Sequence, residues 1–101
     1  MAKLVRDYIP ALIEFNEGRK PKTIQLEGDM LAAALKDKLS EEAGEVIDAL
    51  DQKALTEELA DVLEVAQALA KESGISWESV IEAQELKRFL RGGFASGTYL
   101  I

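Results

Sequence analysis

Cysteine and histidine are both absent from the 101 residues of this chain. Without cysteine the chain has no disulfide, no thiolate metal site and no cysteine nucleophile. Without histidine it lacks the usual zinc sites, the serine and cysteine triads, and imidazole acid–base catalysis. Any chemistry must therefore rest on oxygen ligands and on charged side chains.

Positive charge is scarce as well, because 12 lysines and arginines stand against 19 acidic residues, a net charge of −7. This balance argues against nonspecific binding to nucleic acid, which depends on cationic contacts to phosphates. No apolar run approaches the ~20 residues of a membrane span. Arg6 and Asp7 lie where a signal peptide would have its apolar core. We expect a soluble cytoplasmic protein without a nucleic-acid or membrane partner.

The spacing of apolar residues predicts an all-α fold. A chain of this length is expected to form one small domain, and such a domain often completes its core through a partner subunit. The short connection at residues 51–53 predicts that the second and third helices form an antiparallel hairpin flanked by the other two. With Asp7, Asp29 and Ser76 as candidate N-terminal caps, the helices are predicted at residues 7–17, 29–50, 54–72 and 77–90.

An acidic motif lies on the two helices of this hairpin. Glu42 and Glu45 are followed, after twelve intervening residues, by Glu58 and Asp61. Residues three apart on a helix share a face, with Cβ atoms roughly 5–6 Å apart. At about 100° per residue, Glu42 and Glu58 fall within the apolar arcs of their helices, and Glu45 and Asp61 lie at the edges. The pairs are therefore predicted to face each other across the hairpin.

Carboxylates on a packing face need a cation or a proton, since an unpaired one costs several kcal/mol there. Only Lys38 lies at the flank of either arc. A solvated acidic face with accidental spacing is the plain alternative, but four such positions favour a divalent-metal site. Oxygen ligands suit Mg²⁺, with Mn²⁺ as the alternative. Di-iron and di-manganese bundles need Glu-x-x-His pairs, which this chain lacks.

A magnesium site of this kind predicts a phosphate ester or anhydride as substrate, because Mg²⁺ is commonly bound together with substrate phosphates. The nucleophile would be a water molecule activated by the metal and by a neighbouring carboxylate. Glu41, on the flank of the site, is the candidate for that catalytic role, with a plain solvated glutamate as the alternative. Lys38, Lys87 and Arg91 are candidates for binding phosphate, although Lys87 and Arg91 would also suit the negative end of a helix dipole.

The acidic motif, with Glu41 beside it, resembles the signature of the all-α nucleoside triphosphate pyrophosphohydrolases, the MazG-like and phosphoribosyl-ATP pyrophosphohydrolase-like superfamily. Residues 3–7 and 91–94 also resemble a subgroup of short bacterial and phage members. The resemblance implies one MazG-like domain over residues 1–101. It implies Mg²⁺-dependent hydrolysis between the α and β phosphates, giving a nucleoside monophosphate and pyrophosphate. It also implies a homodimer or homotetramer in which different subunits complete a four-helix-bundle-like core.

Carried over by position, the resemblance makes Lys87 and Arg91 phosphate contacts and Glu41 a supporting residue, with Glu42, Glu45, Glu58 and Asp61 as the metal ligands. Two other functions remain open. One is the phosphoribosyl-ATP hydrolysis step of histidine biosynthesis, which uses the same chemistry. The other is a non-catalytic, nucleotide-binding helical module that serves oligomerisation.

Overall fold

The computed structural model describes residues 2–101, and all regular secondary structure in that part of the chain is helical. The prediction of an all-α fold is confirmed. The four helices are α1 (Ile9–Glu17), α2 (Gly28–Asp48), α3 (Gln52–Glu72) and α4 (Trp77–Arg91).

The predicted N-cap of α1 is wrong by one residue, because the chain makes a turn before it enters the helix. The Ile9 N–H donates to the Arg6 carbonyl at 3.1 Å, and Tyr8 rather than Asp7 takes the N-cap position without a side-chain cap. The predicted end is confirmed. Gly18 follows the helix with φ 69°, a left-handed conformation that suits glycine.

The turn between α2 and α3 is formed differently from the prediction. Helix α2 ends at Asp48, and Ala49 takes an extended conformation, so Leu50 lies outside the helix and is 96% exposed. Helix α3 then begins earlier than predicted, because Asp51 caps it by accepting a hydrogen bond from the Ala54 N–H at 2.7 Å.

Helices α2 and α3 pack along each other as the predicted antiparallel hairpin. At its open end the Gly28 N–H donates to the Glu72 carboxylate at 3.1 Å, which ties the start of α2 to the end of α3. Leu35, Val65 and Ala70 are the buried apolar residues of the hairpin. Its apolar faces therefore meet along the seam that the spacing predicts.

The other two helices add little to this core. Helix α4 contacts α3 but not α2, and α1 contacts no other helix within residues 2–101. The radius of gyration is 17.2 Å, whereas a compact domain of this length has about 13 Å. The accessible surface is 9073 Å², compared with about 5,700 Å² for a typical folded monomer of this mass. No helix among residues 2–101 has the length and apolar character needed to cross a membrane.

Candidate metal site

Four carboxylates, here called the acidic cluster, meet between α2 and α3. One oxygen from each lies within 4.8 Å of the corresponding oxygens of the other three. The i, i+3 spacing places each pair on one helix face, and the short connection brings the two faces together. The proximity predicted from the sequence is therefore present in the fold. The members of the acidic cluster are Glu42, Glu45, Glu58 and Asp61.

Glu42 is the most deeply placed member of the acidic cluster, with only 7% of its surface exposed. Its Oε1 lies 3.5 Å from the Lys38 Nζ, but its buried Oε2 has no hydrogen-bond partner among residues 2–101. The buried Oε2 of Glu58 also lacks a partner there. A buried polar atom without a hydrogen bond costs about 1–3 kcal/mol, and more when it is charged. A cation placed between the helices would remove that cost.

The pKa of Glu58 is raised above its ordinary value, chiefly by a side-chain hydrogen bond with Glu45. Loss of hydration and the negative charges of Glu45, Asp61 and Glu42 raise it further. Two carboxylates share such a hydrogen bond only when one of them carries a proton. Ionising Glu58 is therefore harder than ionising an isolated glutamate, and a bound cation would oppose this effect.

The chemistry of the donor set fits a hard divalent cation. All four candidate ligands are carboxylates, which are ligands that Mg²⁺ and Mn²⁺ accept. The unpartnered oxygen of Glu42 supplies a second, independent indication, because an acidic cluster on a solvated surface would leave its oxygens in water. The acidic cluster is therefore a candidate metal site for reasons beyond the number of its charges.

Glu41 and Lys38 lie beside the acidic cluster on α2. The Lys38 Nζ lies 3.3 and 3.4 Å from the two oxygens of Glu41 and 3.5 Å from Glu42. The side chain of Lys38 is only 18% exposed, whereas that of Glu41 is 42% exposed. Lys38 is thus already paired with acids, and it holds the Glu41 carboxylate at the solvent-facing edge of the site.

Arg6 reaches the acidic cluster from the segment that precedes α1. Its Nη2 donates to the Asp61 Oδ1 at 2.6 Å, across 55 residues of sequence. Sequence reasoning did not place Arg6 in the site, because helical periodicity says nothing about an irregular segment. Its position within the motif at residues 3–7 was the only signal that set it apart.

Lys87 and Arg91, the other predicted phosphate ligands, are not brought to the acidic cluster by a single chain. Both lie on α4, which does not contact α2, and within residues 2–101 neither forms an ion pair with the cluster. Arg91 is in the last turn of α4, where a cation interacts favourably with the helix dipole.

Comparison with known proteins gives one match. Residues 11–88 match the family model described as phosphoribosyl-ATP pyrophosphohydrolase. The matched region includes the whole acidic cluster, Lys38 and Lys87, and it leaves Arg6 and Arg91 outside. Searches of curated proteins and of solved structures returned no significant match.

Proposed function

We infer the function from one premise: the chain belongs to the phosphoribosyl-ATP pyrophosphohydrolase family, within the MazG-like all-α superfamily. It is accordingly a pyrophosphohydrolase that acts on phosphoric anhydride bonds. We propose that its substrate is a ribo- or deoxyribonucleoside triphosphate, hydrolysed between the α and β phosphates to a monophosphate and pyrophosphate. The observation that carries the proposal is the acidic cluster with its buried, unpartnered Glu42 oxygen.

In this proposal the four carboxylates of the acidic cluster hold Mg²⁺, with Mn²⁺ as the alternative. When bound, the ion would offset phosphate charge and lower the pKa of a coordinated water. Metal binding requires the ionised carboxylate and the pKa of Glu58 is raised, so metal binding is expected to weaken at acidic pH. We propose that Glu41, which pairs with Lys38 at the exposed edge of the site, orients the attacking water and accepts its proton.

Phosphoribosyl-ATP is the second candidate substrate, and the family match supports it at least as well as a simple nucleoside triphosphate. Both substrates present an α–β anhydride to the same carboxylates. The acidic cluster therefore does not discriminate between them. Discrimination depends on the part of the substrate farthest from the metal.

A homodimer or homotetramer is the proposed state of assembly. The surface exceeds that of a compact monomer by about 3,400 Å², which is larger than the ~800 Å² that each partner buries in a standard interface. On α3, Leu59 and Leu63 are 51% and 50% exposed, and on α4 Phe89 is 86% exposed. A second subunit covering these faces would complete the bundle, and its Lys87 and Arg91 would be free to reach the neighbouring site.

The test is pyrophosphate release from a panel of nucleoside triphosphates, deoxynucleoside triphosphates and phosphoribosyl-ATP, with and without Mg²⁺. We expect Mg²⁺-dependent turnover on at least one substrate, and a loss of more than about 100-fold in Glu58→Gln, beyond the effect of losing an outer-shell partner. Glu57→Gln is the matched control, because it removes an exposed carboxylate one residue away.

Each outcome of this assay has a definite meaning. No turnover on any substrate by folded protein would contradict the enzymatic proposal. Full turnover by Glu58→Gln would contradict the assignment of the acidic cluster. Nucleotide binding without hydrolysis would instead support the non-catalytic alternative. The substrate with the highest kcat/KM decides between phosphoribosyl-ATP and a nucleoside triphosphate.

A further inference from the structure

Within residues 2–101, two cations form ion pairs with members of the acidic cluster. Lys38 pairs with Glu42, and Arg6 pairs with Asp61. A substrate polyphosphate brings several negative charges to a site that is already acidic. Charge on the phosphate oxygens that face away from the metal must therefore be met by one of the two side chains or by a neighbouring subunit.

Lys38 is poorly suited to that task. Its ammonium group is within 3.5 Å of three carboxylate oxygens, two from Glu41 and one from Glu42. An ammonium has three N–H donors. With only 18% of the side chain exposed, Lys38 has little freedom to turn towards a ligand in solvent.

The Arg6 side chain is exposed to solvent, and its guanidinium has N–H donors that its ion pair does not use. Its side chain is 57% exposed, and its one ion pair within residues 2–101 uses a single nitrogen, Nη2, on Asp61. A guanidinium has five N–H donors in a planar fork that matches phosphate oxygens. The pairing with Asp61 therefore leaves N–H groups directed away from that carboxylate while it fixes the guanidinium at the edge of the acidic cluster.

We propose that Arg6 is a substrate-binding residue: its ion pair with Asp61 positions the guanidinium, and its remaining N–H groups bind the phosphate groups of the substrate. This inference rests on the proposed function. It adds a residue outside the region that the family model matches, which begins at residue 11. It also gives a reason for the segment before α1 to reach Asp61 on α3, although α1 itself contacts no other helix within residues 2–101.

The test is calorimetric titration of the full chain, first with MgCl₂ alone and then, at saturating Mg²⁺, with inorganic pyrophosphate. Arg6→Gln is compared with Arg19→Gln. Arg19 is a close match, since it is 60% exposed and forms one ion pair, with Glu17 at 3.1 Å. We expect Arg6→Gln to bind pyrophosphate about 10- to 100-fold more weakly, the usual effect of losing hydrogen bonds to a charged group. Arg19→Gln is expected to stay within about twofold of wild type.

The titration with Mg²⁺ alone separates this inference from a purely structural role. Removing a competing cation from Asp61 should leave Mg²⁺ affinity equal or higher in Arg6→Gln. If Mg²⁺ affinity instead falls as much as pyrophosphate affinity, Arg6 only orients Asp61 and the proposal is wrong. Equal pyrophosphate binding by Arg6→Gln and Arg19→Gln also overturns it. Absence of Mg²⁺ binding by the wild type is a different result, because it contradicts the proposed function itself.

Arg6→Lys provides a second variant that keeps the positive charge. Lysine lacks the planar fork, so it cannot pair with Asp61 and grip a phosphate in the same geometry. We expect its pyrophosphate affinity to lie between those of wild type and Arg6→Gln. Wild-type affinity in Arg6→Lys, with the same melting temperature, would show that charge alone suffices and would overturn the proposed use of the guanidinium fork.

Discussion

Replacing Glu42 by glutamine should stabilise the metal-free protein. Glu42 is a buried carboxylate with one unpartnered oxygen, and it faces three other acids. Removing its charge relieves about 1–3 kcal/mol of unfavourable burial. Loss of the 3.5 Å ion pair with Lys38 offsets about 1 kcal/mol, because Lys38 keeps its contacts with both Glu41 oxygens and the glutamine Oε1 can still accept a hydrogen bond from it. The net gain is about 0–2 kcal/mol, which corresponds to a rise in Tm of up to roughly 15 °C for a domain of this size.

Saturating Mg²⁺ should make the wild type more stable than Glu42→Gln, the reverse of their order without metal. A ligand that binds only the folded state at 100 times its Kd adds about 2.7 kcal/mol, or more than about 10 °C in Tm. The wild type should gain this stabilisation, and Glu42→Gln should not, because it has lost a proposed ligand. Without Mg²⁺ the variant melts higher, and with saturating Mg²⁺ the wild type does.

Thermal melts followed by circular dichroism, at one fixed protein concentration, measure this crossover. Glu41→Gln is the matched control, since Glu41 also pairs with Lys38 but is 42% exposed. We expect that control to stay within about 0.5 kcal/mol of wild type and to keep the full Mg²⁺ shift. The reasoning is refuted if Glu42→Gln melts below wild type in the absence of metal, or if it retains the Mg²⁺ shift.

Three further predictions address pH, assembly and helix capping. The raised pKa of Glu58 stabilises the metal-free fold at pH values below its ordinary pKa, and this contribution is lost as pH rises through the raised value. Urea melts should therefore show Glu58→Gln gaining on wild type as pH rises, and parallel pH profiles would contradict this. Leu59→Asp should dissociate the proposed oligomer into monomers in sedimentation equilibrium, since Leu59 is a large apolar residue left 51% exposed; a monomeric wild type would refute that interface. Asp51→Ala should lower the free energy of unfolding by about 1 kcal/mol in urea melts through loss of the α3 cap, and an unchanged midpoint would contradict the capping role.

The hairpin was predictable because it is determined by residues close together in the sequence. Apolar residues recur at helical spacing along α2 and α3, and a short connection leaves few alternatives to antiparallel packing. The helix ends were less predictable. The turn closed by the Ile9 N–H and the Arg6 carbonyl competes with an Asp7 cap, and the Asp51 cap of α3 begins that helix earlier than expected. Such choices depend on hydrogen bonds that residue spacing does not reveal.

The contacts of the candidate site also differ in how far local spacing predicts them. The proximity of the four carboxylates followed from two i, i+3 pairs on neighbouring helices. The contact of Arg6 with Asp61 spans 55 residues and starts in an irregular segment, so no periodic pattern indicates it. The phosphate-binding roles of Lys87 and Arg91 stay predictions, because α4 does not contact α2 within residues 2–101.

All four members of the acidic cluster come from twenty consecutive residues on either side of one turn. Their contacts have short sequence separation, so closing the hairpin costs little chain entropy and can precede slower steps of folding. The candidate site is thus encoded in one supersecondary unit, much as a calcium loop is, while Leu59 and Leu63 of the same hairpin remain about half exposed. The proposed cation binding and the proposed subunit association would then both involve residues of α2 and α3. An ion that fixes the separation of these helices would also shape the surface that a second subunit must fit.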